Sequence, residues 1–438
     1  MTTNRLPKGS SSFRGWLLAV LWGVPPAIVY LPGRLVWHLG CAIALFAIAG
    51  LRVVQRGRKS SGHRFGLSWS LGLWLFAATL SAMWNHDTDQ VLITFCSVFL
   101  TCLFAYWALD GLQLSSVDVD VGVLGLAFGS AIPLLGGCFA FGEEWGWSDP
   151  RNLWIAYLDT VRMKGYEDAT FGNRGNMAAY ITIVVPILFV TLIERKKGTF
   201  LRAACAVVLV LALLNLLIIE VRAAYISIAL ALAFIWLKNW RSWRTLVFAA
   251  VVALAFKALF SYESDYIVQF GERLRAAVTS DAAADSSVSD RLDAMKEGIA
   301  LGLQHPVFGL GPGSGLTRHS QTSAHQIIVQ QFMELGIAGA VAVIWYSIAL
   351  FVCVSYTVRG KGDQQNSIRF ALMLGPLCYL TYGLLANAIV NSSYINIWGL
   401  LVVTMLAVTP RFPRRASIRK RVPSQTVTCR SAADIALE

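Results

Sequence analysis

Charge is scarce in this sequence. Asp, Glu, Lys and Arg make up 14% of the 438 residues, against 56% hydrophobic, where a soluble domain carries about 25% charged residues. That shortage excludes an ordinary water-soluble enzyme, and a mean hydropathy of +0.58 agrees. The strict apolar–polar alternation of a membrane barrel is also missing, so helices are how these runs satisfy their backbone in lipid. No CxxC or Cys/His spacing occurs, and the eight cysteines fall in apolar runs or in the C-terminal tail. Structural disulfides and zinc are therefore not expected. There is no internal repeat, heptad pattern or low-complexity tract. The first apolar run follows the basic "MTTNRLPKGSSSFRG" without a small-residue cleavage site, and it reads as a retained signal-anchor helix.

What is present is a series of apolar runs, each able to cross a hydrocarbon core of about 30 Å as a helix. About twelve spans are expected: near 15–32, 36–54, 66–84, 90–108, 121–141, 176–193, 200–219, 222–237, 245–261, 337–358, 369–390 and 394–409. The run from 200 to 237 is interrupted only at Glu220 and Arg222, which predicts a tight outer turn. With the N-terminus inside, 25 of the 37 basic residues lie on the inner side, so both termini are expected in the cytoplasm. The expected fold is an all-α, polytopic membrane protein. Its parts are an N-terminal segment 1–14, nine spans within 15–261 that include an outer loop 142–175, a large partly helical outer loop 262–336, three spans within 337–409, and a basic tail 410–438. An isoelectric point near 9.4 then reflects orientation and anionic lipid headgroups, not nucleic acid.

Polar residues gather on the outer side, and arginine prevails among the basic ones. Arg174 stands in "FGNRGN" just before a span, Arg222 opens a span in "IIEVRAAY", and Arg291 stands in "SDRLDAM" on a loop helix beginning near Ser289. Arg318 follows in "LTRHSQTSA". The planar fork of arginine suits phosphate oxygens, and together these residues suggest an anion bound at the outer face. Each also has a plainer reading. Arg174 is also what an interfacial snorkeller looks like, Arg222 can pair with Glu220, and Arg291 with Asp290 or Glu297. The segment "HPVFGLGPGSG" can form a backbone nest for an anion, although it lacks the lysine of a nucleotide loop. "DTD" at 87–89 is either an acidic pair of the metal-binding kind or a polar turn. His305 belongs to a turn.

The stretch "HQIIVQQFMELGIAG", residues 325–339, reads as a short helix running into a span. Ile328, Phe332 and Leu335 form its apolar stripe, and Gly336 and Gly339 ease it into the next span. At its head stands His325, either satisfied by packing or held as a general base, since histidine needs little tuning for that work near neutral pH. His319 is either an orienting partner or a solvated loop residue.

His325-Gln326 followed by Gly336 and Gly339 resembles the histidine motif of the bacterial O-antigen ligase family, which related O-antigen polymerases and oligosaccharyltransferases share. The preceding "HPVFGLGPGSG" resembles the Pro/Gly segment of the same proteins, and the order of spans, outer arginine and late outer loop is similar. The resemblance implies a fold like the C-type membrane glycosyltransferases, in the inner membrane of a Gram-negative bacterium with the site facing the periplasm. It implies transfer of O-antigen from undecaprenyl pyrophosphate to a sugar of lipid A–core, within lipopolysaccharide biosynthesis, with no metal, nucleotide sugar or other cofactor. Membrane lipids are the remaining partner, and no nucleic acid is expected. The family's arginines carry over onto Arg222 and Arg291. Arg174 and Arg318 rest on position alone, as further donor-binding candidates, and Gln326, His319 and Glu220 are candidates for support.

Pyrophosphate is a good leaving group, so the chemistry needs a base for the acceptor hydroxyl and cations for the departing charge. His325 and the arginines supply those residue types, and attack opposite the pyrophosphate would invert the anomeric carbon. Two other readings use the same donor: an O-antigen polymerase or related oligosaccharyltransferase, and a flippase or transporter of the polyprenyl-linked glycan. Transporters tend towards repeats and ionisable groups at the midplane, whereas the polar residues here collect at one face.

Overall fold

A continuous apolar run in lipid has one way to pair its backbone locally, and that is the helix. The computed structural model bears this out over the residues it describes, which are 11–28, 67–85, 91, 116–142, 174–194, 198–219, 221–238, 250, 286–314, 326–359 and 364–386. Among them the helices are α1 (Ser11–Ile28), α2 (Leu67–Trp84), α3 (Ser116–Gly142), α4 (Arg174–Ile193), α5 (Thr199–Ile219), α6 (Arg222–Lys238), α7 (Ser286–Gln304), α8 (Ile327–Arg359) and α9 (Gln364–Leu385). Val117–Cys138, Gly175–Ile193, Thr199–Leu216 and Ile327–Val358 are long and apolar enough to cross a membrane, and Trp69–Trp84, Ala223–Lys238 and Arg369–Leu385 are shorter apolar helices. The expected spans near 36–54, 90–108, 245–261 and 394–409, and the loop 142–175, lie outside the described residues apart from isolated positions.

The centre of the bundle is α4. From Met177 to Val190 its apolar side chains are buried on every side, with α5, α6 and α9 packed around it and α3 at its flank. The outward faces stay apolar: Phe128, Val207, Val210, Ile344, Ile348 and Phe351 are exposed. Such a surface is at rest against acyl chains and not against water. Polar groups inside the bundle are spent locally. Ser227 and Thr191 return their hydroxyl protons to carbonyls one turn earlier at 2.8 Å each. The Asn215 amide donates to the carbonyls of Leu134 at 2.7 Å and Leu211 at 2.8 Å, joining α5 to α3.

Lipid tails are as apolar as leucine, so close backbone approach has to draw membrane helices together. On α1, Gly15, Ala19 and Gly23 recur every four residues, and on α3 Gly125 and Gly129 do the same. A Cβ on Gly125 would fall on the Ala19 backbone, and one on Gly129 would fall on the Gly23 carbonyl. The two helices touch main chain to main chain.

The run 200–237 divides where its charges stand, at Glu220 and Arg222. α5 ends at Ile219 and α6 begins at Arg222, the Ala224 N–H donates to the Val221 carbonyl at 3.0 Å, and the Tyr225 hydroxyl reaches across to the Leu216 carbonyl at 2.7 Å. Two helices fill this run. Because short turns join α4 to α5 and α5 to α6, α4 and α6 are parallel and start at the same end of the bundle.

Replacing Gly125 by Val should force α1 and α3 apart. Overpacking of this kind costs about 1–3 kcal/mol, so the thermal midpoint in detergent should fall, while Gly72→Ala, where an added Cβ meets nothing within 4 Å, should leave it in place.

Candidate active site

Two of the arginines singled out in the sequence take the same structural position. Arg174 is the first residue of α4 and Arg222 the first of α6, and these helices are parallel and packed together. A helix start carries unpaired N–H groups and the positive end of the macrodipole, so an anion is already favoured at both positions. Arg291 lies in the first third of α7. His325, Arg318, His319, Glu220 and the "DTD" turn fall outside the described residues.

α7 packs on the start of α8. Its inner edge is small, with Ala294 buried and Gly302 lying under the Phe332 ring, where a Cβ would collide with the ring carbons. The 32-residue apolar run Ile327–Val358 is about 48 Å of helix at 1.5 Å per residue, well beyond the 30 Å that a span needs. It is in fact two helices. Gly336 breaks it, with φ 71° and ψ −165°, a conformation open to glycine and costly to other residues. The break separates a short arm, 327–335, from the span, 337–359, as the histidine stretch had suggested.

A break in a helix leaves carbonyls and N–H groups without partners. Here the loop that follows α7 supplies them. The Leu310 N–H donates to the Met333 carbonyl at 2.9 Å and the Gly311 N–H to the Glu334 carbonyl at 3.0 Å, while the Ile337 N–H donates to the Pro306 carbonyl at 2.8 Å. The Ser81 hydroxyl adds a second bond to the Glu334 carbonyl, 2.7 Å. The loop uses positive φ at Gly309, Gly311 and Gly313 to do this. "HPVFGLGPGSG" therefore departs from the nest expected of it. The N–H groups of Gly309 and Ser314 bond within the loop, those of Leu310 and Gly311 bond the short arm, and that of Gly313 bonds the Glu334 carboxyl. Each of these five N–H groups is thus used inside the protein.

The short arm is held on its polar face as well as its apolar one. Leu335 packs with Ala77 and Ala78 of α2, and Ile328 lies against the main core, as the stripe predicted. Gln330, Gln331 and Glu334 are also buried. The Trp74 indole N–H donates to the Gln331 side-chain oxygen at 2.7 Å, and the Gln330 amide donates to the Glu334 carboxyl. Asn85 closes the set, its amide donating to the carbonyls of Ser81 at 3.0 Å and Gly309 at 3.3 Å. Sequence reasoning missed Trp74, Ser81, Asn85, Gln330, Gln331 and Glu334. The one available signal was the one-turn spacing of Gln330 and Glu334, polar residues on a helix that precedes a span.

At the other end of the arm, the Gln326 side-chain oxygen accepts the Val329 N–H at 2.7 Å. That is an N-cap bond, pairing one of the free donors of the first turn. Gln326 fixes where the helix begins, and His325 is the residue immediately before that cap in the sequence.

Residues 207–344 match the family model described as O-antigen ligase. That stretch is similar to the O-antigen ligase family domain. It runs from within α5 through α6 and α7 to the first turns of the broken-off span, so it encloses Arg222, Arg291, Arg318 and His325, while Arg174 precedes it. The match supports a function broadly of the O-antigen ligase and polymerase type. A comparison with curated proteins found no match.

The clamp around Gly336 gives two expectations. Gly336→Ala places a Cβ on the carbonyls of Val307 and Pro306, in a backbone conformation that costs other residues about 1–3 kcal/mol, and should lower the yield of folded protein sharply. Glu334→Ala strands the Gln330 amide and the Gly313 N–H, at about 1–3 kcal/mol for each buried group left unpaired. Glu334→Gln keeps an acceptor and should lose clearly less, as read by thermal midpoints in detergent.

Proposed function

We propose that the protein is an O-antigen ligase: an inverting, metal-independent glycosyltransferase that moves O-antigen from undecaprenyl pyrophosphate to a sugar hydroxyl of lipid A–core on the periplasmic face of the inner membrane. The observation that carries this reading is the family match from 207 to 344. It joins an arginine-led helix start to a helix broken at Gly336, with His325 just before that helix's cap. Three features are then explained together: apolar spans that hold a lipid-linked donor, arginines concentrated on one side, and a histidine ahead of a rigidly held helix.

In this mechanism His325 takes the proton of the acceptor hydroxyl as that oxygen attacks the anomeric carbon. The new C–O bond forms as the bond to pyrophosphate breaks, and the electron pair leaves on the phosphate oxygen. Arg222 and Arg291, with Arg174 and Arg318 as further donors, hold the pyrophosphate more strongly as its charge grows. Pyrophosphate leaves without protonation, so no general acid is required. His325 then gives its proton to water. His319 and Glu220 are the remaining candidates for orienting these groups. Attack from the face opposite the leaving group inverts the anomeric configuration.

Losing a positioned base typically costs about 10²–10⁴-fold in rate. Folded His325→Ala should ligate glycan onto lipid A–core at that reduced level, and normal ligation by it would remove His325 from this role. At Arg222, Lys should recover only part of what Ala loses, because a point charge does not replace the fork. Determining the anomeric configuration of donor and product checks the inversion, and a retained configuration contradicts it. The polymerase reading shares the donor and differs in the acceptor, so transfer onto a second lipid-linked glycan in place of lipid A–core would favour it.

A further inference from the structure

Between 298 and 314 the chain carries no Asp, Glu, Lys or Arg, although this segment belongs to a loop outside the spans. It also exposes large apolar side chains. Leu303, at the last turn of α7, is 65% exposed and Val307 is 62% exposed. Phe308 stacks on Trp84, with ring centroids 4.9 Å apart and planes inclined by 25°. Further back on α7, Leu292 and Ile299 are exposed too, and with Leu303 they fall on one side of the helix. Lys296 also falls in this row, between Leu292 and Ile299, and reaches round the helix to pair in the open with Asp293 at 2.9 Å, so the uncharged part of the surface begins after it, at Ile299.

Two contacts fix the height of this patch. Trp84 is the last residue of α2, is itself exposed, and marks the level at which that apolar helix ends. Ile337, exposed and first in the span after the Gly336 break, bonds through its N–H to the carbonyl of Pro306. Val307 and Phe308 therefore sit beside the ends of two membrane helices. Aromatic residues at that level are the usual mark of the lipid–water interface. An uncharged, outward-facing apolar segment continuous with the lipid-facing surface of α2 and α8 has the bilayer as its neighbour.

We propose that the segment from Leu303 to Phe308, with Trp84, is a membrane foot: it enters the outer-facing leaflet and seats the α7–α8 unit on the lipid surface. The Leu310 and Gly311 bonds tie the foot to the short arm of α8 and the Pro306 bond ties it to the first residue of the span, so the foot sets the height of that arm above the membrane. If the arm's leading histidine is the base of the ligase reading, this holds it at the level of a lipid-borne pyrophosphate, and that consequence rests on the proposed function. The foot itself is tested without any substrate, so its failure and the failure of the ligase reading are separate results.

The test uses the full chain in nanodiscs of phosphatidylcholine and phosphatidylglycerol. An environment-sensitive fluorophore is attached at Val307→Cys and, on α7 away from its exposed apolar row, at Asp293→Cys. Identically treated wild-type chain supplies the background from the native cysteines. Quenching is read with lipids carrying a nitroxide near the head of the acyl chain, and with aqueous iodide. The fluorophore at 307 should be quenched severalfold more by the nitroxide lipid than by iodide, and that at 293 should show the reverse. Quenching at 307 by iodide alone overturns the foot. Protection at 307 from both quenchers also overturns it, since protein, either another segment or a second copy, would then cover the patch. Leu303→Cys provides the same reading if Val307→Cys fails to insert.

Discussion

Everything at the start of α8 depends on how one broken helix pairs its backbone. Gly336 ends the short arm and starts the span, and the carbonyls of Met333 and Glu334 lose their helical partners there. At the edge of a membrane such groups cannot be left bare, because each one unpaired costs several kcal/mol in lipid. The loop after α7 pairs them with its own N–H groups, and Ser81 of α2 adds a further donor. Three chain segments far apart in sequence are thereby held as one piece. The buried carboxyl of Glu334 and the amides of Gln330 and Gln331 extend the same clamp along the arm.

Under the proposed function, this clamp gives a physical reason for placing the base next to a short helix. A helix capped at one end and clamped at the other holds its own residues in fewer positions than a free loop would, and catalysis gains from groups held in place. Gln326 caps the near end of the arm and the loop clamps the far end. Charge is arranged by the same economy. Two parallel helices begin with arginine at one end of the bundle, where a membrane protein carries cations at little desolvation cost, while the spans use serine, threonine and asparagine to close hydrogen bonds internally.

The helices were largely legible in the sequence, for a reason that particular elements show. The run 66–84 was expected as a span and α2 covers Leu67–Trp84; the turn at Glu220 was expected and α6 starts at Arg222. Apolar length and the position of charges report local structure directly. The short arm and its apolar stripe were visible too, since Ile328, Phe332 and Leu335 repeat at helical spacing. What lay opposite its other face was not visible. Trp74 meets Gln331, and Ser81 meets Glu334, across more than 250 positions, and periodicity names a face without naming its partner. The Gly-rich loop shows the same limit: its composition announced a chain rich in available N–H groups, but only the fold reveals that they are used inside the protein. Of the site residues, the helix-start positions of Arg174 and Arg222 and the capping role of Gln326 are now in place, and His325, His319, Arg318 and Glu220 lie outside the described residues.

The central claim is that this bundle carries out a transfer at one face and does not carry its substrate from one face to the other. The direct measurement uses purified protein in detergent micelles, where no second side exists, with undecaprenyl pyrophosphate-linked O-antigen and lipid A–core as the only substrates. The account predicts covalent attachment of the glycan to lipid A–core, seen as a mass shift of the acceptor and release of undecaprenyl pyrophosphate. Intact donor and unmodified acceptor in micelles, together with movement of the same donor across sealed vesicles by the same folded protein, would contradict it.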